Sequence, residues 1–395
     1  MQLDKPRADG RTEQESSSGL GSSSQAVTTS ATVPFQTAPA IDEYLRKRLM
    51  PVEGAIPRIP RTDMYGNSIP AGSVGGDLFE YINFQQRYNI EARIARAVQL
   101  AKEYLDPLPD GQSPRNIVDE HSRWLRLHAA DDNGQPATQE TEYRRAKSSE
   151  QREVADNLRE LCTTAGVLLV DAQGHGLISA KIASTVHDTF HALMLTELDD
   201  HGKTTPELFE NLNLRLALSV TARNALGLDS QDRSREIATM IYGEITPSGH
   251  FRFVNFGSPP PLVFSAEFGR FMPMNTGHLV QFPALGLEIP EDHPDRNRYF
   301  SMDVRQKEIN SSDLGEITLM SPGDIIFLYS DGVYDGSDDI TRAEIEVVVR
   351  EHKQRSAREI CNAILNYAVE QDESLRKTGE DDRIDDKTAF IIKHY

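Results

Sequence analysis

Two short apolar runs stand out along the chain. Val167-Leu168-Leu169-Val170 leads directly into Asp171, and Ile325-Ile326-Phe327-Leu328-Tyr329 leads through Ser330 into Asp331. Uninterrupted runs of this length predict strands buried on both faces. Further strands are expected from Asp77 to Phe84, over Leu262-Val263-Phe264, and from Thr388 to Ile392. The segments Ile237 to Ile245 and Phe251 to Phe256 flank Pro247-Ser248-Gly249-His250, which reads as a hairpin. Apolar positions recur at helical spacing over Ile90–Leu100, about Glu140–Thr163, Ile178–Leu198, Glu207–Leu226, about Ala343–Glu351 and Ala357–Glu370. Hairpins and paired helices without a regular strand–helix alternation predict an α+β sandwich, not a doubly wound fold.

The polar stretches divide the chain. Residues 1–40 form a low-complexity tail, with the linker-like run Ser16-Ser17-Ser18-Gly19-Leu20-Gly21-Ser22-Ser23-Ser24. Residues 41–68 read as a lead-in that includes the extended Ile56-Pro57-Arg58-Ile59-Pro60-Arg61, and residues 69–395 as the main domain. Within that domain, 106–139 is polar and contains Pro107, Pro109, Pro114 and Pro136, so it reads as an insertion. Cys162 and Cys361 both fall in helical patterns and are expected as buried free thiols. No stretch approaches the ~18 apolar residues of a membrane span, and no signal peptide is evident, so a cytoplasmic location is expected.

The formal net charge is -19 over 395 residues. That argues against nucleic acid as a partner, because phosphate contacts need clustered Lys and Arg. It suits a protein that binds cations or basic protein surfaces. The acidic residues are not scattered evenly. Gly75-Gly76-Asp77, Asp171-Ala172-Gln173-Gly174-His175-Gly176, Ser330-Asp331-Gly332 and Asp385-Asp386-Lys387-Thr388 each set an aspartate where a strand meets a turn. One Asp-Gly alone is more often a turn than a ligand. Four such strand ends can meet at one edge of a sandwich and form a carboxylate cage for hard divalent ions such as Mg²⁺ or Mn²⁺. Two ions held there could sit ~3.5–4 Å apart and activate water for displacement at phosphorus. His175, between two glycines, is either a phosphate contact or acid/base group or a structural residue. His187 and His191 have the spacing of a zinc pair, but with no third ligand in view they read as ordinary helix residues.

In this order the motifs resemble those of a SpoIIE-like serine/threonine phosphatase of the metal-dependent PPM superfamily. Gly75-Gly76-Asp77-Leu78-Phe79-Glu80 is similar to the family's Gly-Gly-Asp-aromatic-aromatic-Asp, with Glu80 for the second Asp. Asp171 to Gly176 resembles Asp-Val-Ser-Gly-His-Gly. Asn255-Phe256-Gly257-Ser258-Pro259-Pro260-Pro261-Leu262 resembles Asn-Ala-Gly-His-Pro-Pro-Pro-Leu, with Ser258 for the histidine. Ser321-Pro322-Gly323-Asp324, Tyr329-Ser330-Asp331-Gly332-Val333 and Asp385-Asp386-Lys387-Thr388 resemble the remaining elements.

The resemblance implies a four-layer α-β-β-α sandwich with two central, mostly antiparallel sheets. It implies two Mn²⁺ or Mg²⁺ ions on Asp77, Asp171, Asp331, Asp385 and the carbonyl of Ala172. Asp386, Glu80 and His175 are then supporting neighbours. The implied reaction is hydrolysis of phosphoserine or phosphothreonine by metal-bound hydroxide, with no phosphoenzyme. The implied partner is a phosphorylated protein, such as an anti-sigma-factor antagonist in a partner-switching system; a homodimer is also compatible. Two other readings share these residues: a regulator that binds a phosphoprotein without turnover, and a hydrolase of small phosphate esters.

Overall fold

The computed structural model describes residues 56–105, 136–174, 176–225, 237–273, 281–287, 315–334, 339–380 and 384–395. The tail, the insertion from 106 to 135 and His175 lie outside the described residues. In chain order the elements are β1 (Thr62–Ile69), β2 (Asp77–Asn83), α1 (Phe84–Tyr88), α2 (Ile90–Glu103), α3 (Pro136–Leu161), β3 (Ala165–Ala172), α4 (Leu177–Asp200) and α5 (Pro206–Ala225). They continue with β4 (Ala238–Ile245), β5 (His250–Phe256), β6 (Leu262–Ser265), β7 (Arg270–Phe271), β8 (Gln281–Phe282), β9 (Gly315–Thr318), β10 (Ile325–Tyr329), α6 (Asp339–His352), α7 (Ala357–Thr378) and β11 (Lys387–His394).

The strands form two sheets. One has the order β1-β11-β10-β6-β7; the other has β2-β3-β4-β5-β8, with β9 also paired to β5. The β5–β8 pair is parallel and the other pairs are antiparallel. Strand alternation shows how the layers stack. On β3, Val167 and Leu169 join an apolar layer shared with Phe79, Ile326, Leu328 and Phe390, which lies between the sheets. Leu168 and Val170 point the other way, into a layer with Val186 and Phe190 of α4. On the far side, Phe327, Tyr329, Ala389 and Ile391 pack with Ile345 of α6 and Ile360 and Ile364 of α7. The result is helices, sheet, sheet, helices: the α+β four-layer sandwich the motifs implied. The continuous apolar runs are explained by it, since both faces of β3 and β10 are covered.

Several elements differ from the sequence pattern. Asp77–Phe84 was expected as one strand, but Phe84 opens the short helix α1, whose N-cap Asn83 accepts from the Gln86 N–H. The helix expected from about Glu140 starts at Pro136, a residue tolerated in a first helical turn, so 136–139 belong to α3. The stretch read as lead-in contains β1, which pairs with β11 along its whole length from Thr62↔His394 to Ile69↔Lys387. Cys361 is buried as expected and Cys162 is half-buried; both are free thiols.

Candidate metal centre

Asp77 is the first residue of β2, and Asp171 stands directly opposite it on β3. Side chains directly opposite on neighbouring strands have Cβ atoms about 4.5–5.5 Å apart. Alternation puts both on the inter-sheet side, the side of Phe79, Tyr81, Val167 and Leu169. Asp331 and Asp385 come from the other sheet, one just past the end of β10 and the other just before β11. Asp77 is buried, Asp171 half-buried, and Asp331 and Asp385 exposed. The cluster therefore opens from the inter-sheet layer towards solvent.

Hydroxyls from the first sheet fix the buried carboxylate. Ser330 Oγ and Thr388 Oγ1 both donate to Asp77 Oδ2, at 2.7 and 2.6 Å. Ser330 and Thr388 are themselves locked together. The Thr388 N–H donates to Ser330 Oγ at 2.9 Å, and the Ser330 N–H to the Thr388 carbonyl at 3.0 Å. The two hydroxyl bonds to the Asp77 carboxylate are of the charge-assisted kind, shorter and stronger than neutral ones. Neither hydroxyl was singled out from the sequence, although both sit inside motifs that were.

Asp386 has a different task from its neighbour. It is buried, and its carboxylate accepts the Ala71 and Gly76 N–H groups at 2.7 and 2.5 Å. It thereby ties the turn before β11 to the loop before β2. Asp385 remains at the surface, its Oδ1 accepting the Asp386 N–H at 2.8 Å. Lys387 supports the same turn from below. Its ammonium donates to the Asp385 carbonyl at 3.0 Å and pairs with Asp372 of α7 at 2.8 Å. The Ser330-Asp331-Gly332 turn packs on this segment so closely that a Cβ at Gly332 would stand 2.1 Å from the Asp386 carbonyl oxygen. Only glycine lets this turn pack so closely on the Asp385–Asp386 backbone.

The electrostatics register the convergence. Burial pushes the Asp77 carboxyl up, against the pull of the Thr388 and Ser330 hydrogen bonds, and the charges of Asp386 and Asp331 push it further. Asp171 is raised by burial and then by Asp77, Asp331, Asp385 and Asp386 together. Carboxylates gathered in a poorly solvated place are costly to ionise without a positive charge among them. The donors are all oxygen, which fits a hard divalent ion and not a zinc site of Cys and His. No three of these carboxylates bring ligand atoms within 4.8 Å of one another. The cluster is thus wider than a tight single-ion cage. Ala172 is buried, and its N–H donates to the Gly76 carbonyl at 3.3 Å, which places it at the same loop. Ser258, where a histidine was expected by resemblance, is buried in a turn closed by Asn255: the Asn255 side chain donates to the Ser258 carbonyl and accepts its N–H, both at 2.9 Å.

Two mostly antiparallel sheets packed face to face between helices are the α+β fold of the PP2C, or PPM, class. The family model described as "Stage II sporulation protein E (SpoIIE)" matches residues 163–304 and 315–395, more than half of the chain, and the chain belongs to that family. The match includes Asp171, Asp331 and Asp385 and begins after Asp77. Among solved structures, the RsbU and RsbW domains of a Mycobacterium tuberculosis protein are similar at 16% identity and a TM-score of 0.45, over 87% of this chain and 63% of that one. The PP2C phosphatase domain with a fragment of the regulatory domain of SpoIIE from Bacillus subtilis is similar at 11% identity and a TM-score of 0.43, over 85% of this chain and 64% of that one. The SiaA PP2C domain of Pseudomonas aeruginosa is similar at 12% identity and a TM-score of 0.41, over 84% of this chain and 85% of that one. The chain spans less than two thirds of the first two. No curated protein sequence matches it. Among the described residues no helix is long and apolar enough to cross a membrane.

Proposed function

We propose that this chain is a Mn²⁺- or Mg²⁺-dependent protein phosphatase that removes phosphate from serine or threonine of a regulatory protein. The observation that carries the reading is the meeting of Asp77 and Asp171, in register on one sheet, with Asp331 and Asp385 from the strand ends of the other. These four, with the Ala172 carbonyl, would hold two ions. Their spread suits a pair, since ligands of two ions need not all lie within one coordination sphere. Bound there, the metals supply Lewis-acid polarisation of the phosphoryl oxygens and a nucleophile from water near neutral pH.

The chain's own residues do the positioning. Ser330 and Thr388 hold Asp77 in one orientation. Asp386 and Lys387 hold the Asp385 turn, and Gly332 lets Asp331 close on it. The exposed side of the cluster, at Asp331 and Asp385, is where a phosphorylated side chain would enter. The catalytic unit would comprise residues 69–395 together with β1, and the stretch from 106 to 135 would be an insertion in it. A phosphorylated partner-switching protein, such as an anti-sigma-factor antagonist, is the substrate class this family membership favours.

Release of inorganic phosphate from phosphoserine and phosphothreonine peptides, compared with small phosphate esters at equal Mn²⁺, tests the reading. The expected result is turnover of the peptides with the higher kcat/KM. Binding of a phosphopeptide without any release would favour the non-catalytic regulator instead, and preference for the small esters would favour a metabolite hydrolase.

A further inference from the structure

His187 and His191 do have a third ligand in reach. Glu80 lies on β2 with its side chain on the face of Leu78 and Ile82, away from Asp77 and towards α4. Its Oε2 is 3.0 Å from His187 Nε2 and 2.6 Å from His191 Nε2. Among the described residues these three form the only group of His, Cys, Asp or Glu whose ligand atoms all lie within 4.8 Å of one another. From these contacts we infer that Glu80, His187 and His191 form a second metal site, for a borderline transition ion of the Zn²⁺ class, separate from the aspartate cluster.

The chemistry of the donors distinguishes the two sites. Two imidazole nitrogens and one carboxylate suit zinc, cobalt or nickel, whereas all-oxygen clusters suit magnesium and manganese. The histidines are i and i+4 on one helix, so both rings leave the same face, and their centroids lie 4.4 Å apart. Glutamate supplies the extra methylene, relative to the aspartate of the family motif, that carries the carboxylate to α4.

The outer hydrogen bonds also favour an ion. His187 Nδ1 is 3.1 Å from Asp188 Oδ1 while its Nε2 faces Glu80. A neutral imidazole has one N–H and cannot donate to two carboxylates. With the proton on Nδ1, the Nε2 lone pair is left for a metal, and carboxylate–histidine–metal is the usual outer-shell pattern. His191 Nδ1 contacts the Tyr88 hydroxyl and accepts from Arg87 Nε at 3.1 Å. Metal loading at Nε2 moves its proton to Nδ1, where the Tyr88 hydroxyl can accept it. The Arg87 Nε then gives up that contact, while its guanidinium stays paired with Glu80 Oε1, now at 2.7 Å. The site retains an outlet, since the three side chains are 11–16% exposed, so water can complete the coordination. Glu80 is three residues from Asp77, roughly 10 Å along the strand. The ion would therefore clamp α4, the helix that follows the Asp171 loop, onto the strand that carries Asp77.

The test uses the full chain with Mg²⁺ in large excess, to fill the aspartate cluster, and Zn²⁺ as titrant. One zinc per chain is expected in the wild type and in Asp331→Asn. Affinity should fall in His187→Gln and His191→Gln by more than the roughly 10–100-fold that loss of an outer-shell partner costs. Co²⁺ added to the wild type gives a second readout that needs no variant. Four-coordinate nitrogen–oxygen ligation gives intense visible bands, and six-coordinate oxygen ligation only weak ones. Melting of each variant in chelator checks that it folds. A wild type that takes up no Zn²⁺ under Mg²⁺, weak Co²⁺ bands, or either histidine variant binding zinc like the wild type would overturn the site.

Discussion

Asp171→Asn is expected to remove Mn²⁺-dependent hydrolysis of p-nitrophenyl phosphate while leaving the fold intact. The substitution keeps the shape of the side chain and removes its charge. Asp171 is the carboxylate on which Asp77, Asp331, Asp385 and Asp386 all act, so it sits at the electrostatic middle of the cluster. Losing an outer-shell partner of a metal ligand costs roughly 10–100-fold in metal affinity or activity, and losing a ligand itself should cost more. Without metal, the amide adds no charge to a place where the Asp171 carboxyl is itself held up by burial and its acidic neighbours. The variant should therefore melt no lower than the wild type in chelator, and gain less than the wild type when Mn²⁺ is added. Initial rates over a Mn²⁺ series and thermal melts with and without the ion give both readouts. Wild-type rates at saturating Mn²⁺ would remove Asp171 from the centre.

Phe390→Ala should lower stability by about 3–5 kcal/mol, the usual cost of emptying a large aromatic position in a core. Phe390 is fully buried between the sheets on β11, the strand flanked by β1 and β10. Its ring centroid is 6.1 Å from that of Phe79 and 5.1 Å from that of Tyr81, both on the opposite sheet. Those contacts set the separation of the sheets next to the place where carboxylates from both must meet. The metal affinity of whatever folds should drop as well, since Asp385 and Thr388 precede Phe390 on the same segment. Denaturant unfolding followed by calorimetric Mn²⁺ titration separates the two effects. A loss under ~1 kcal/mol would mean that the inter-sheet layer does not depend on this ring, against the usual cost of such a truncation.

The elements legible in the sequence are those whose pattern is dictated by burial on both faces, such as β3 and β10, or by one helical stripe, such as α4 and α7. β1 was not legible, for a physical reason. Its buried positions are Met64, Gly66 and Ser68, of which only one is apolar. Gly66 is buried because Phe390 and Phe79 occupy the place of its side chain, where a Cβ would lie 2.5 Å from the Phe390 ring. A strand whose core is supplied by its neighbours carries no hydrophobic period of its own.

The aspartates were legible because each lies at or beside a strand end, three of them with a glycine within three residues (Gly76, Gly174 and Gly332). Which of two adjacent carboxylates is buried was not. Asp385 and Asp386 look alike in sequence, and only the loop at Ala71 and Gly76, 315 and 310 residues away, distinguishes them. The same holds for His187 and His191, whose third partner Glu80 lies 107 and 111 residues upstream. Partners that meet through tertiary structure leave no spacing to read.

The most direct test of the metal centre is a crystal structure of the full chain grown with Mn²⁺, with the ions located by anomalous scattering. The account predicts two manganese ions among Asp77, Asp171, the Ala172 carbonyl, Asp331 and Asp385. Manganese found only between Glu80, His187 and His191, or no manganese at the aspartates, would contradict it.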